Sequence, residues 1–375
     1  MKILLLGEYS NVHWTLAEGL RRLGHEVTVV SNGDFWKDYP RDFSLVRHEG
    51  RMGRYQYMLR LASLLPRMKG YDVVQVINPM FLELKAERIF PVYRFLRRHN
   101  RRVVMGAFGM DYFWVHTCDS ETSPFRYSDF NIGPARRHNA DAEKERADWL
   151  GTKKQQLNEL IANDCDAIVA GLYEYWKCYE PAFPTKTTFI PFPINIEKCT
   201  LRAPLHRAGE PVRIFIGISR NRSEYKGTDV MLRAAERLKA DFPDDVALTV
   251  AEGLPFAEYC ERMNNSHLIL DQLYSYTPAM NALQAMSQGI ICVGGGEPEN
   301  YSILGENDLR PIVNVQPTEE SVYTELRTLV EHPERIAQMQ RESIAYVKRH
   351  HDYVDVARRY EAVYCGVLGE RWADK

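Results

Sequence analysis

Short apolar runs alternate with longer amphipathic stretches along this chain, in two separate series. In the first, residues 3–6, 27–30, 73–77, 103–106 and 167–170 are near-continuous apolar runs of strand length, as in parallel strands buried on both faces. Residues 14–23, 84–99 and 141–163 between them carry helical periodicity, and Gly24 closes the first as a C-terminal cap. Strand, helix, strand in this order implies parallel pairing through right-handed crossovers. Residues 191–211 break the rhythm with prolines and mixed charge, as a linker does. A second series follows, with strands at 212–218, 246–251, 268–270, 290–293 and 312–315 and helices at 228–239, 256–264 and 279–288. Three helices from Glu319, Glu334 and Val354 close the chain. The predicted fold class is therefore α/β: two doubly wound, Rossmann-like domains. Their bounds are 1–205 and 206–352, and residues 353–375 form a helix that crosses back to the first domain. Ligands of such sheets bind outside the strands' carboxyl ends, here in a cleft that the two domains face.

A chain of 375 residues is long for one core and suits two. Its 45% hydrophobic and 26% charged residues are those of a folded, water-soluble protein. A formal charge of −2 gives no reason to expect nucleic acid as a partner. Between Arg51 and Arg102, however, 12 basic residues face 3 acidic ones, with Arg94, Arg97, Arg98, Arg101 and Arg102 clustered. That imbalance reads either as a solvated helix face or as a patch for anionic lipid headgroups. Seven dispersed cysteines without a C-x-x-C pair fit a reducing compartment. The apolar run of residues 3–6 is too short for a signal peptide, and no run of about 20 apolar residues exists to span a bilayer. The expected location is cytoplasmic, with peripheral contact at the inner membrane face.

Three stretches of the second series carry chemistry. After the 212–218 strand, Gly217, Ser219, Arg220, Lys226 and Gly227 lie on a polar loop that opens a helix. Forked arginine hydrogen bonds, a lysine point charge and a helix N-terminus together suit a diphosphate. The second stretch, 270–289, places Thr277 as N-cap and Pro278 as first helical residue, freeing the N–H groups of Ala279, Met280 and Asn281 for an anion, with Gln284 further along. The third, Gly294-Gly295-Gly296-Glu297-Pro298-Glu299, follows a strand, where glycines let backbone approach a ligand. Each alone reads equally as a charged loop, a capped helix or a plain turn.

Taken in order, these stretches resemble the donor half of the GT-B glycosyltransferases, specifically glycosyltransferase family 4. The family's glycine, arginine, lysine-glycine pattern matches Gly217, Arg220, Lys226 and Gly227. Its E-A-M-A-x-G resembles Gln284-Ala285-Met286-Ser287-Gln288-Gly289, and its G-G-x-P-E resembles Gly295 to Glu299. Its opening is similar to Leu23-Gly24-His25-Glu26-Val27. The resemblance implies that Arg220 and Lys226 hold the donor diphosphate and that Gln284 meets the ribose. It also implies Tyr276, Asn281, Gly296 and Glu299 around the donor, with Gly7 in the first loop. The activity implied is transfer of a sugar from a nucleotide-diphosphate donor to a saccharide or lipid-linked saccharide in cell-surface polysaccharide synthesis. Configuration would be retained, with neither cofactor nor metal.

This chain departs from the family at several positions. The paired glutamates fall on Tyr276 and Gln284, and H-G-x-D appears as Phe108-Gly109-Met110-Asp111. Of the glycine-rich first loop only Gly7 remains. Asp111 is the candidate for orienting the acceptor, with Asn11, His13 and His116 beside it, and 113–139 reads as an irregular loop shaping that pocket. A nucleotide-sugar epimerase and a non-catalytic nucleotide-sugar-binding subunit remain open alternatives.

Overall fold

The computed structural model describes residues 1–199, 203–219 and 222–369. In chain order the strands are β1 (Lys2–Leu6), β2 (Glu26–Ser31), β3 (Phe43–Ser44), β4 (Val73–Val76), β5 (Arg102–Ala107), β6 (Asn131–Ile132) and β7 (Ala135–Arg136). They continue as β8 (Ala167–Ala170), β9 (Thr187–Phe189), β10 (Val212–Ile218), β11 (Val246–Glu252), β12 (Leu268–Leu270) and β13 (Ile291–Val293).

The chain divides into two compact units. Unit 1 comprises 1–116, 147–193 and 353–375; unit 2 comprises 117–146 and 194–352. Unit 1 is built on a parallel sheet of order β3-β2-β1-β4-β5-β8-β9, whose order reverses between β1 and β4. Its central strands bury both faces, with Ile3 to Leu6, Val73, Val74 and Val103 to Met105 fully enclosed, as the unbroken apolar runs require. Unit 2 has the parallel order β11-β10-β12-β13, extended by a bridge from Val293 to Val313. Residues 312–315 thus contribute a single bridge where a full strand was expected.

Two further expectations change, and the C-terminal helix lies with unit 1. The boundary expected at 205 moves to 193/194, because Ile194 N–H donates to His351 O and Ala203 N–H to Gln288 O, tying this stretch to unit 2. The 353–375 segment belongs to unit 1: the Tyr353–Leu368 helix packs on the Val12–Arg22 helix, where a side chain at Gly19 would strike Tyr353 O. The long helix expected at 141–163 is two, Ala140–Trp149 and Lys153–Asp164. Gly151 at φ 71° breaks it, and the Thr152 hydroxyl caps the second half by accepting from Lys154 N–H.

The loop expected at 113–139 carries structure. A helix, Tyr112–Cys118, opens it, and β6 and β7 form a small antiparallel hairpin. No helix among the described residues is long and apolar enough to cross a membrane.

Candidate functional site

In unit 2, β10, β12 and β13 are neighbours, so the loops leaving their carboxyl ends share one edge of the sheet. From β10 come exposed Ser219 and the short Ser223–Lys226 helix. Arg220 lies outside the described residues. Lys226 is half-buried and close enough to Asp271, just past β12, to oppose electrostatically the rise in pKa that burial imposes on that carboxyl. Asn281 Nδ2 donates to Asp271 Oδ1 at 3.1 Å and to Tyr259 Oη at 3.1 Å. Tyr259 also explains Gly217, since a Cβ there would lie 2.6 Å from its hydroxyl. Lys226, Asp271, Asn281 and Tyr259 thus form one polar group where β10 and β12 end.

The helix expected from Pro278 begins later, as Met280–Ser287. Ala279 is its N-cap in extended backbone, and no side chain caps it. The first helical bond runs from Leu283 N–H to Ala279 O, so the first-turn amides of Met280, Asn281 and Ala282 have no carbonyl one turn back. Gln284 lies on this helix with its Nε2 3.2 Å from Cys199 Sγ. After β13, Gly294 (φ 100°) and Gly295 (φ 75°) lie against the preceding loop; added Cβ atoms would come 2.5 Å from Gln272 O and 2.8 Å from Thr277 C. Gly296 is buried against Ile312 and Asn314. Glycine here lets two ligand-side loops pack backbone to backbone.

The 117–146 segment fastens onto these loops, a feature that local patterning did not reveal. Arg126 Nη2 donates to Glu297 Oε2 at 2.6 Å, and Nη1 and Nη2 grip Glu299 as a fork. The Arg126 backbone N–H donates to Tyr276 Oη at 2.6 Å, and the guanidinium lies over the Tyr276 ring, 4.9 Å from its centre. Tyr127 Oη donates to Glu297, a nearly buried carboxylate that also accepts from Gln316 Nε2. The hydrogen bond from Arg126 holds the Glu299 pKa below its usual value. Arg137 completes the strap: it donates to Glu224 O and Tyr225 O and lies 3.5 Å from the centre of the Tyr274 ring. Tyr276 and Glu299, expected at the donor, are therefore joined through Arg126.

Unit 1 treats its candidates differently. Gly7 (φ 87°) turns the chain after β1, where a Cβ would come 2.3 Å from Ile77 Cγ2. Glu8 follows, almost fully buried. Its carboxyl group accepts from His13 N–H at 3.2 Å and Trp14 N–H at 2.9 Å, first-turn amides of the Val12–Arg22 helix. Burial pushes the Glu8 pKa up to about 8, against the pull of those amides. The helix end that binds phosphate in dinucleotide folds is thus filled by a carboxyl group of the chain itself. An acid between a strand-ending glycine and a helix start is the local sequence signal of such a plug.

Asp111, expected to orient the acceptor, and His13, expected beside it, are both placed away from solvent. His13 is fully buried, with Nδ1 2.9 Å from Gly7 O and Nε2 against Gln75, and burial lowers its pKa to about 3. Asp111 is equally buried; it accepts from Trp114 N–H at 2.9 Å and Tyr179 Oη at 2.6 Å. Burial raises its pKa to about 6. These contacts make it a brace for the Tyr112–Cys118 helix. Asn11 sits in left-handed backbone (φ 70°) as that first helix's N-cap residue, without a side-chain capping bond. His116 is exposed and stacks on Tyr112. Of the basic cluster, Arg97 pairs with Asp164 and Asp166, Arg101 with Asp72 and Arg102 with Asp166, which neutralises much of it.

No protein family's sequence profile matches the chain, and no curated protein matches it by sequence. Solved structures do match. Sucrose-phosphate synthase from Thermosynechococcus elongatus superposes with a TM-score of 0.61 at 12% identity, over 98% of this chain and 99% of its own. Anabaena HepE, solved with UDP-glucose, gives 0.59 at 12%, over 98% and 100%. UDP-GlcNAc 2-epimerase from Neisseria meningitidis, bound to UDP-GlcNAc, gives 0.55 at 10%, over 96% and 99%. These likenesses establish the GT-B fold, with its two Rossmann-like units, and carry no activity with them.

Proposed function

We propose that this chain is a glycosyltransferase that binds a nucleoside-diphosphate sugar at the carboxyl edge of the unit 2 sheet. One contrast carries the reading. In unit 2 the uncapped helix end at Met280, the glycine loop after β13 and the Lys226 ammonium all belong to that edge. In unit 1 the corresponding helix end is plugged by Glu8. A diphosphate needs amide donors and cations, and the second edge offers both. Lys226, with Arg220 from the family resemblance, would offset charge on the departing diphosphate, and Gln284 would serve the ribose hydroxyls.

The structural neighbours solved with UDP or a UDP-sugar make uridine diphosphate the first probe. We further read the acceptor as a saccharide or lipid-linked saccharide handled by unit 1, where Asn11 and exposed His116 remain candidates. Retention of configuration and independence of metal stay with the family resemblance, and a cytoplasmic setting with the dispersed cysteines. The test is thermal stability in the presence of UDP, GDP, ADP and CDP, because a ligand of the folded state raises the midpoint by mass action. A shift with none of them at millimolar concentration removes the proposal.

A second reading, a nucleotide-sugar epimerase, is favoured by epimerases of the same fold, whereas the non-acidic Tyr276 and Gln284 favour a non-catalytic nucleotide-sugar-binding subunit. Incubation of the protein with UDP-GlcNAc alone separates the two. Conversion without any acceptor supports the epimerase; binding without conversion, followed by transfer once an acceptor is supplied, supports the transferase. Binding without turnover under either condition leaves a nucleotide-sugar-binding subunit.

A further inference from the structure

Of the eight large apolar side chains that stand most exposed among the described residues, five fall within residues 35–59 of unit 1. Three of them, Met52, Tyr55 and Leu59, belong to the Gly50–Leu64 helix and are 68%, 62% and 54% exposed. Their spacing of three and four residues places them on one stripe. The same helix buries Gly53, Tyr57, Leu61 and Leu64 against unit 1. At 100° per residue that buried stripe is centred roughly opposite the exposed one. The helix therefore has two apolar faces, and the fold uses one.

Charge tells what the other face meets. The helix contains Arg51, Arg54 and Arg60 and no acidic residue. None of the three guanidinium groups forms an ion pair among the described residues, unlike Arg97, Arg101 and Arg102. On the helical wheel, Arg51 and Arg60 flank the apolar stripe on either side. The remaining two exposed side chains, Phe35 and Trp36, come from a turn close to this helix: Asn32, three residues earlier, and Tyr57 both hydrogen-bond Glu83. Phe35 is held at φ 58°, a left-handed backbone that bulky residues rarely adopt, and it is 64% exposed.

We propose that this face docks unit 1 on an anionic lipid surface. The apolar stripe enters the headgroup–acyl boundary, the arginines lie at phosphate depth, and the aromatic rings sit between. A neutral apolar partner would leave three arginines without counter-charge; an anionic bilayer meets both features. The surface deepens the lipid-linked reading of the acceptor, yet it is tested without donor or acceptor, so either proposal can fail alone.

The test is flotation of the full chain with phosphatidylglycerol–phosphatidylcholine vesicles and with phosphatidylcholine alone, at about 50 mM and 500 mM salt, the two bracketing the screening lengths over which surface attraction survives and collapses. The wild type should float with the anionic vesicles at low salt and much less at high salt. Each Arg→Gln change at 51, 54 or 60 should lower partition about fivefold, and the triple variant about a hundredfold. Met52→Ser/Tyr55→Ser/Leu59→Ser should abolish flotation. Because these side chains are exposed, each variant should keep the wild-type circular dichroism and melting midpoint. Equal flotation of wild type and triple variants, or none by the wild type, overturns the proposal. So does concentration-dependent dimerisation that the serine variant abolishes without any vesicle binding, since the face would then meet a second copy.

Discussion

Arg126→Ala probes the strap that holds 117–146 on unit 2. The guanidinium is half-exposed, but its partner Glu297 has a side chain only 4% exposed. Removing it leaves that carboxylate with two neutral donors, Tyr127 Oη and Gln316 Nε2. Loss of a charge-assisted hydrogen bond to a buried carboxylate costs about 1.5–3 kcal/mol. The Glu299 arm, a quarter exposed, adds at most about 1 kcal/mol after solvent screening. The expected total is about 1.5–4 kcal/mol, and at about 2–4 °C per kcal/mol for a unit of roughly 150–250 residues the midpoint should fall about 3–16 °C. Arg126→Lys should recover only part, because a lysine cannot fork across two carboxylates. Differential scanning calorimetry at neutral pH reads the shift. The Arg126→Ala/Glu299→Gln double variant should lose clearly less than the sum of the single changes, because both remove the same fork. A fall below about 1 °C, or strict additivity in the double variant, would refute the assignment of the strap's stability to this contact.

Glu8 makes stability depend on pH. Its folded pKa of about 8 lies above the ordinary 4.5, so the folded state binds the proton more tightly than the unfolded chain does. Its contribution is therefore greatest below about 4.5 and declines as pH rises to about 8. Glu8→Gln should flatten the fall of the melting midpoint between those values, and an unchanged pH profile would deny Glu8 this role. Asp111→Ala should lower the midpoint by several degrees, since it removes the acceptor that Trp114 N–H and the Tyr179 O–H share in the core, while UDP affinity stays within about twofold. Gly294→Ala should be poorly tolerated, because φ 100° and the 2.5 Å approach to Gln272 O leave no room for a methyl group; soluble yield and midpoint both report it.

The elements of both sheets were largely legible because buried parallel strands demand nearly continuous apolar runs, as at 3–6 and 268–270. The short edge strands β3 and β9, with Ser44 and Thr187, lack such a run and escaped notice. The glycines after β13 and Lys226 were legible as a local pattern of loop and helix start. The allegiance of 117–146 to unit 2 was not, because it rests on contacts between Arg126 and residues about 150–170 positions away. His13 and Asp111 attracted attention as titratable groups; their sealing by Gln75, Tyr179 and the surrounding strands depends on tertiary packing that periodicity does not encode.

Titration calorimetry with UDP on the wild type, Lys226→Ala and Glu8→Gln tests the placement of the diphosphate most directly. The expected result is binding by the wild type, a loss of tenfold or more in Lys226→Ala, and wild-type affinity in Glu8→Gln at a temperature where all three are folded. Unchanged affinity in Lys226→Ala, or a loss confined to Glu8→Gln, would place the nucleotide elsewhere and contradict the account.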